Sequence, residues 1–137
     1  MAKQNRKKRA ASRIESIRSK LDSGNTREHL QSFLTEYFLC EMACKEMLVG
    51  YKESINDPIK YEEAKMDMRV LNPAFVLYGI EIDKETRNRL FSANTKSAKK
   101  IRDSLVHCIS KAILDILISQ YEQLMGDMKL FLDSVSK

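Results

Sequence analysis

A chain of 137 residues, 43% hydrophobic and 31% charged, fits one soluble domain that buries roughly two-thirds of its unfolded surface without a disulfide or metal staple. Four glycines and two prolines are too few for the turns of a β-rich fold, so an all-α compact helical bundle is expected. The net charge of +5 favours anionic partners and says nothing about the fold.

The excess of charge lies at the start. Lys3, Arg6, Lys7, Lys8, Arg9, Arg13, Arg18 and Lys20 face only Glu15, and the remainder of the chain is close to neutral. Such a run suits the phosphates of RNA or DNA without sequence preference; the plainer reading is a solvated tail continuing into the polar face of a helix. Residues 1–10 are assigned to a basic tail, frayed from Met1 to about Lys7, and residues 11–137 to one helical domain. No apolar stretch follows the initial charges and no segment reaches eighteen apolar residues, so neither a secretory leader nor a membrane span is expected, and the protein is assigned to the cytoplasm.

Ala11, Ile14, Ile17 and Leu21 recur at three and four residues, the stripe of a short amphipathic helix that Asp22-Ser23-Gly24-Asn25 stops. Thr26 resembles the next N-cap, with Ser23 and Asn25 as alternatives. From there Leu30, Phe33, Leu34, Tyr37, Phe38, Cys44, Met47, Leu48, Tyr51 and Ile55 trace a long helix over about 27–55. His29 lies in its first turn among polar neighbours, reads as solvated and is given no role. Cys40 and Cys44 share a helix face; with Cys108 they make an odd count lacking C-x2-C spacing, which reads as three reduced thiols, two of them core filler, and no metal site.

Asn56-Asp57-Pro58 breaks this helix, and Pro58 suits the start of a third one along Tyr61, Ala64, Met68 and Leu71, bent at Asn72-Pro73. Ala74 to Ile80 is read as a buried helical turn. Asp83 is a candidate cap for a brief helix carrying Arg87, Arg89 and Leu90, with Glu85 and Arg89 as an exposed i,i+4 pair in preference to a phosphate site. The last third forms a second long strut over about 96–135, with a break admitted near Arg102–His107. Ile101, Leu105, Ile109, Ile113, Ile116, Leu117, Tyr121, Leu124, Met128, Phe131 and Val135 give it an apolar stripe wide enough for the centre of a bundle or a subunit interface. The two long helices are expected to lie antiparallel.

The segment Ser97 to Cys108 holds the densest chemistry. Arg102 carries a permanent charge on a fork of donors suited to phosphate, His107 exchanges a proton near neutral pH, and Asp103 lies between them. One helical turn separates Asp103 from His107, so the carboxylate is placed to orient the imidazole. Arg102 and His107 stand roughly 140° apart around an ideal helix. They converge if the arginine curls over, if the helix starts between them, or if a second copy of the chain completes the site. No P-loop, G-x-G-x-x-G, H-E-x-x-H or G-x-S-x-G pattern is present, and no acidic cluster stands at metal-ligand spacing.

Arg102 to His107, R-D-S-L-V-H, resembles the R-x4-6-H motif of the HEPN superfamily, and the likeness extends from about Tyr78 to the C-terminus. The resemblance implies a small all-helical domain acting as a homodimer, with the motifs at the shared interface. It further implies a metal-independent endoribonuclease of the toxin–antitoxin, phage-defence or RNA-processing type, with no cofactor and with an antitoxin or regulatory protein as a further partner. In that role His107 moves a proton at the 2'-oxygen or the leaving 5'-oxygen, Arg102 neutralises charge on the phosphorane, Asp103 holds the imidazole, and the partner's His107 supplies the second proton carrier. Inactive members of the superfamily only bind nucleotides, RNA or proteins. The competing expectation is such a binding module, with Arg102 and Asp103 as an ion pair and His107 as a satisfied core histidine.

Overall fold

In the computed structural model, which describes residues 2–137 and leaves Met1 outside, the chain forms six α-helices and one 3₁₀ turn, with no strand among the described residues. The longest helix, α2 (Thr26–Ser54), buries Phe33, Tyr37, Cys40, Cys44, Met47 and Leu48. From Phe33 to Met47 these positions advance by alternating steps of four and three, and Leu48 stands four beyond Cys44, which keeps them on one face. The other long helix, α6 (Lys111–Val135), buries Ile113, Leu114, Leu117, Leu124, Met128 and Phe131 against them. At about 1.5–3 kcal/mol for each large apolar side chain removed from water, this shared seam is the main source of stability.

The all-α bundle is as expected, whereas the sense of the long pair is not. His29 stacks on Tyr121, and farther along Glu36 shares a groove with Met125, Gly126 and Lys129. The partners advance together, so α2 and α6 run parallel instead of antiparallel. The chain returns between them through two short helices, α4 (Lys84–Phe91) and α5 (Ala98–His107). Glu81 reaches Ser134 and Arg89 reaches Asp127, which sets α4 against the direction of α6. Phe75, Phe91 and Phe131 pack with ring centroids 5.1–5.9 Å apart where these elements meet.

The helix expected from Pro58 forms only from Met68 onward. A single 3₁₀ turn (Tyr61–Glu63) is followed by an extended stretch in which Ala64 and Met66 are both buried. An interval of two, where a helix needs three or four, satisfies an extended segment laid on the core. Helix α3 (Met68–Leu77) begins at Asp67, whose carboxylate accepts from the Arg69 amide at 2.9 Å, and runs on through Asn72-Pro73 without stopping there. The helix ends in a Schellman turn: Ile80 N–H donates to Phe75 C=O, Gly79 N–H donates to Val76 C=O, and Gly79 supplies φ +65. Tyr78 then lies against Gly50 of α2, where a Cβ would overlap the phenol oxygen.

At the N-terminus α1 (Ala2–Leu21) is helical from Ala2, through the stretch assigned to fraying. Neither Ser23, Asn25 nor Thr26 caps α2 through its side chain; the Thr26 hydroxyl instead donates to Ser23 C=O at 2.8 Å. Asp83 does cap α4, accepting from Thr86 N at 2.7 Å, which lowers its pKa. The second strut is two helices: Cys108–Ser110 is extended, Ser97 caps α5, and Ser110 caps α6. No helix among the described residues is long and apolar enough to cross a membrane.

Candidate functional site

Helix α5 carries the motif. Its buried residues Ala98 and Ile101 seat it on the core, and Ser97 fixes its start by accepting from Lys100 N at 3.2 Å while its hydroxyl donates to Ser92 C=O. With that face anchored, Arg102 turns towards α2. Its guanidinium lies 5.7 Å over the ring of Phe38 and donates from Nη1 to Asp103 Oδ1 at 3.2 Å, while Nε is buried without a partner. The pair stands at a cleft of about 600 Å³, to which Tyr37, Glu41, Lys45, Met66 and Lys99 also contribute. Burial, reinforced by Glu41, raises the Tyr37 phenol pKa and keeps it protonated.

His107 is elsewhere. It is the last residue of α5, exposed, and its imidazole makes no hydrogen bond to the described residues. One chain thus brings Arg102 and Asp103 together and leaves His107 apart from both. The expected bond from Asp103 to the imidazole is absent, because Asp103 turns to its neighbour Arg102 instead. Nor is His107 a core histidine. Beside it Val106 is 67% exposed, and Cys108 and Ile109 line an open groove of about 440 Å³ with Ile14 and Ile17 of α1. Arg13 Nη2 approaches Cys108 Sγ at 3.7 Å, tying α1 to this end of the bundle.

Three features escaped the sequence reading. Arg89 does not pair with Glu85: its Nε and Nη2 donate to Asp127 at 2.7 and 3.1 Å, and Nη2 also reaches Thr86 Oγ1. Asp127 is 2% exposed and accepts a further bond from Gln123. The signal was an aspartate on the apolar stripe of α6, between Leu124 and Phe131. His29, read as solvated, is half-buried and stacks on Tyr121 at 3.9 Å, with its Nδ1 buried and unpartnered. The third is the mixed charged lining of the cleft, where Lys45 and Lys99 stand with Glu41 and Asp67, which only the packing of α5 on α2 creates.

Cys40 and Cys44 are buried and Cys108 is exposed. Burial, then the charge of Glu36, pushes the Cys40 thiol up to about 12, and burial raises Cys44 as well, so both are inert core residues. Among the described residues no group of three or more His, Cys, Asp or Glu stands together to hold a metal ion. Comparison of the chain with protein-family models, curated proteins and solved structures finds no match.

Proposed function

We propose that the protein is a metal-independent endoribonuclease in which Arg102, Asp103 and His107 act on RNA across a homodimer. The observation that carries this reading is the presentation of His107: it ends its helix at the surface, unpartnered, beside exposed Val106 and Ile109. A second copy laid on this end covers that apolar surface and brings two imidazoles to one place. One histidine removes the proton of the RNA 2'-hydroxyl, whose oxygen attacks the adjacent phosphorus. The bond to the 5'-oxygen breaks, and the partner's His107 protonates that oxygen. Arg102 neutralises the charge that accumulates on the phosphorane, while Asp103 adjusts where the guanidinium lies. The products are a 2',3'-cyclic phosphate and a 5'-hydroxyl, so DNA is inert. Work on RNA fits a cytoplasmic protein. A toxin–antitoxin or phage-defence setting, with an antitoxin or regulatory protein as partner, follows from the R-D-S-L-V-H resemblance alone.

A second reading, a catalytically inactive helical module that binds RNA, a nucleotide or a protein, is favoured by the way Arg102 closes on Asp103 within one chain. Incubating the purified protein with single-stranded and structured RNA in EDTA separates the two. Cleavage with cyclic-phosphate ends that falls roughly 10²-fold or more in His107→Ala supports the enzyme. Strict dependence on divalent metal, or full activity in His107→Ala, removes it. Light scattering reports the dimer independently, and a short bismaleimide should join the exposed Cys108 thiols of two copies. A monomer at tens of micromolar argues against the shared site.

A further inference from the structure

Residues 13–21 of α1 are docked: Ile17 and Leu21 pack on the core, Lys20 pairs with Asp115, and Arg13 touches Cys108. From Arg13 to Lys20 and from Cys108 to Asp115 the contacts advance by the same seven residues, so α1 runs parallel to the start of α6. Residues 2–12 therefore project beyond the bundle at the end where His107 lies, as a helical arm about 16 Å long. Every one of them is exposed. The arm holds Lys3, Arg6, Lys7, Lys8 and Arg9 and no acid, and no acidic residue occupies the first turn of α1.

By itself this is a poor helix. Cations sit at the positive end of the dipole, and Lys3 with Arg6 and Lys7, and Arg9 with Arg6 and Arg13, are like charges at helical spacing. A polyanion relieves both. A membrane surface does not fit, because the arm offers no apolar side chain larger than alanine to insert between lipids. We infer that residues 2–12 are an RNA-loading arm, whose cations hold the phosphates of a strand that passes over the bundle end at His107. The arm serves the ribonuclease reading and rests on it for the identity of the ligand. It adds the side from which the strand arrives, and it assigns Arg6, Lys7, Lys8 and Arg9 to binding.

The test uses a 2'-O-methyl RNA oligonucleotide, which binds but cannot be cleaved through a 2'-hydroxyl, so its result does not depend on catalysis. Replacing Arg6, Lys7, Lys8 and Arg9 together by Gln keeps helix propensity and removes four charges. Affinity should fall about tenfold or more at low salt, and the slope of log K against log salt should become shallower by about 3, at roughly 0.7 for each phosphate no longer neutralised. A benzophenone on Cys108, the one exposed thiol, should crosslink to the bound RNA in the otherwise unchanged protein and lose that crosslink in the quadruple variant. Unchanged affinity and slope overturn the arm, and so does tight binding without a Cys108 crosslink, which places the strand elsewhere. Equal loss of binding to vesicles containing anionic phospholipid, with RNA affinity intact, gives the arm to a membrane. If ordinary RNA stays uncut in EDTA while the Cys108 crosslink forms, the nuclease reading fails and the arm stands.

Discussion

Two arginine–aspartate pairs of this protein solve different problems. Arg89 grips Asp127 with two nitrogens, the carboxylate is 2% exposed, and Gln123 and Thr86 complete the network across 38 residues of sequence. Arg102 meets Asp103, its neighbour in the chain, through one nitrogen at 3.2 Å, with side-chain exposures of 29% and 41% and a buried Nε left without a partner. The first pair has every reason to stay as it is: separating it strands a buried charge. The second is held by one bond at the edge of a cleft and can be redirected at little cost, which suits the phosphate contact proposed for Arg102. Residue type is the same in both; burial and the number of bonds decide which pair is fixed and which is free to change partners.

Breaking the buried pair should produce the largest effect. Arg89→Met leaves the Asp127 carboxylate without its partner and should cost about 2–3 kcal/mol, below the 3–5 of a fully buried pair because the Arg89 side chain is 37% exposed. Thermal unfolding should fall by on the order of 10 °C. Adding Asp127→Asn should recover part of that loss in a double-mutant cycle. If the Arg89 variant melts with the parent protein, Asp127 is not a buried anion.

Alkaline titration comes next, because it leaves both arginine–aspartate pairs charged; tyrosines and lysines ionise over the same range, so the comparison with Cys40→Ala is what isolates the thiol. The Cys40 pKa is raised from its ordinary 9.0 to about 12 in the folded protein. Its contribution is therefore fully present below about pH 9 and is lost as pH rises towards 12. Cys40 alone should contribute about 1 kcal/mol of lost stability per pH unit above 9 in chemical denaturation, so Cys40→Ala should reduce the slope by about that amount, leaving the share of the buried Cys44. An equal slope in the parent and in Cys40→Ala between pH 9 and 10 would mean that the Cys40 thiol is not buried.

Arg102→Ala should cost less than about 1 kcal/mol of stability, since the pair it breaks is partly exposed, yet it should lower RNA cleavage by on the order of 10². Comparable losses in stability and activity would make Arg102 a second structural arginine and end the contrast with Arg89. The smallest change is expected from Asp103→Asn, which keeps an acceptor for Nη1. Stability should shift by a few tenths of a kcal/mol and cleavage should drop less than in Arg102→Ala, as initial rates under EDTA would show.

Local physics was readable from the sequence. Steps of three and four placed α2 to within a residue or two, Asp83 announced its cap, and a break near the motif was allowed for. These signals act over four residues or fewer, which is the reach of a helical hydrogen bond and of an N-cap. The same local logic failed over 58–67, where packing of Ala64 and Met66 outweighed the preference for helix, and at Pro73, which α3 includes at the cost of one backbone bond.

The candidate site was legible as a set of residues and not as an arrangement. R-D-S-L-V-H names Arg102, Asp103 and His107, and helix geometry already separates Arg102 from His107. The pairing of Arg102 with Asp103 was one of two readings the sequence allowed; that the guanidinium would also lie over Phe38 depended on the packing of α5 on α2. Periodicity in a sequence states that a face is apolar and does not name what covers it. The parallel sense of α2 and α6, the pairing of Arg89 with Asp127, the stacking of His29 on Tyr121 and the reach of the basic arm past His107 are therefore properties of the tertiary structure. Each joins residues distant in the chain, and such contacts are selected by the burial of the whole core and not by any one segment.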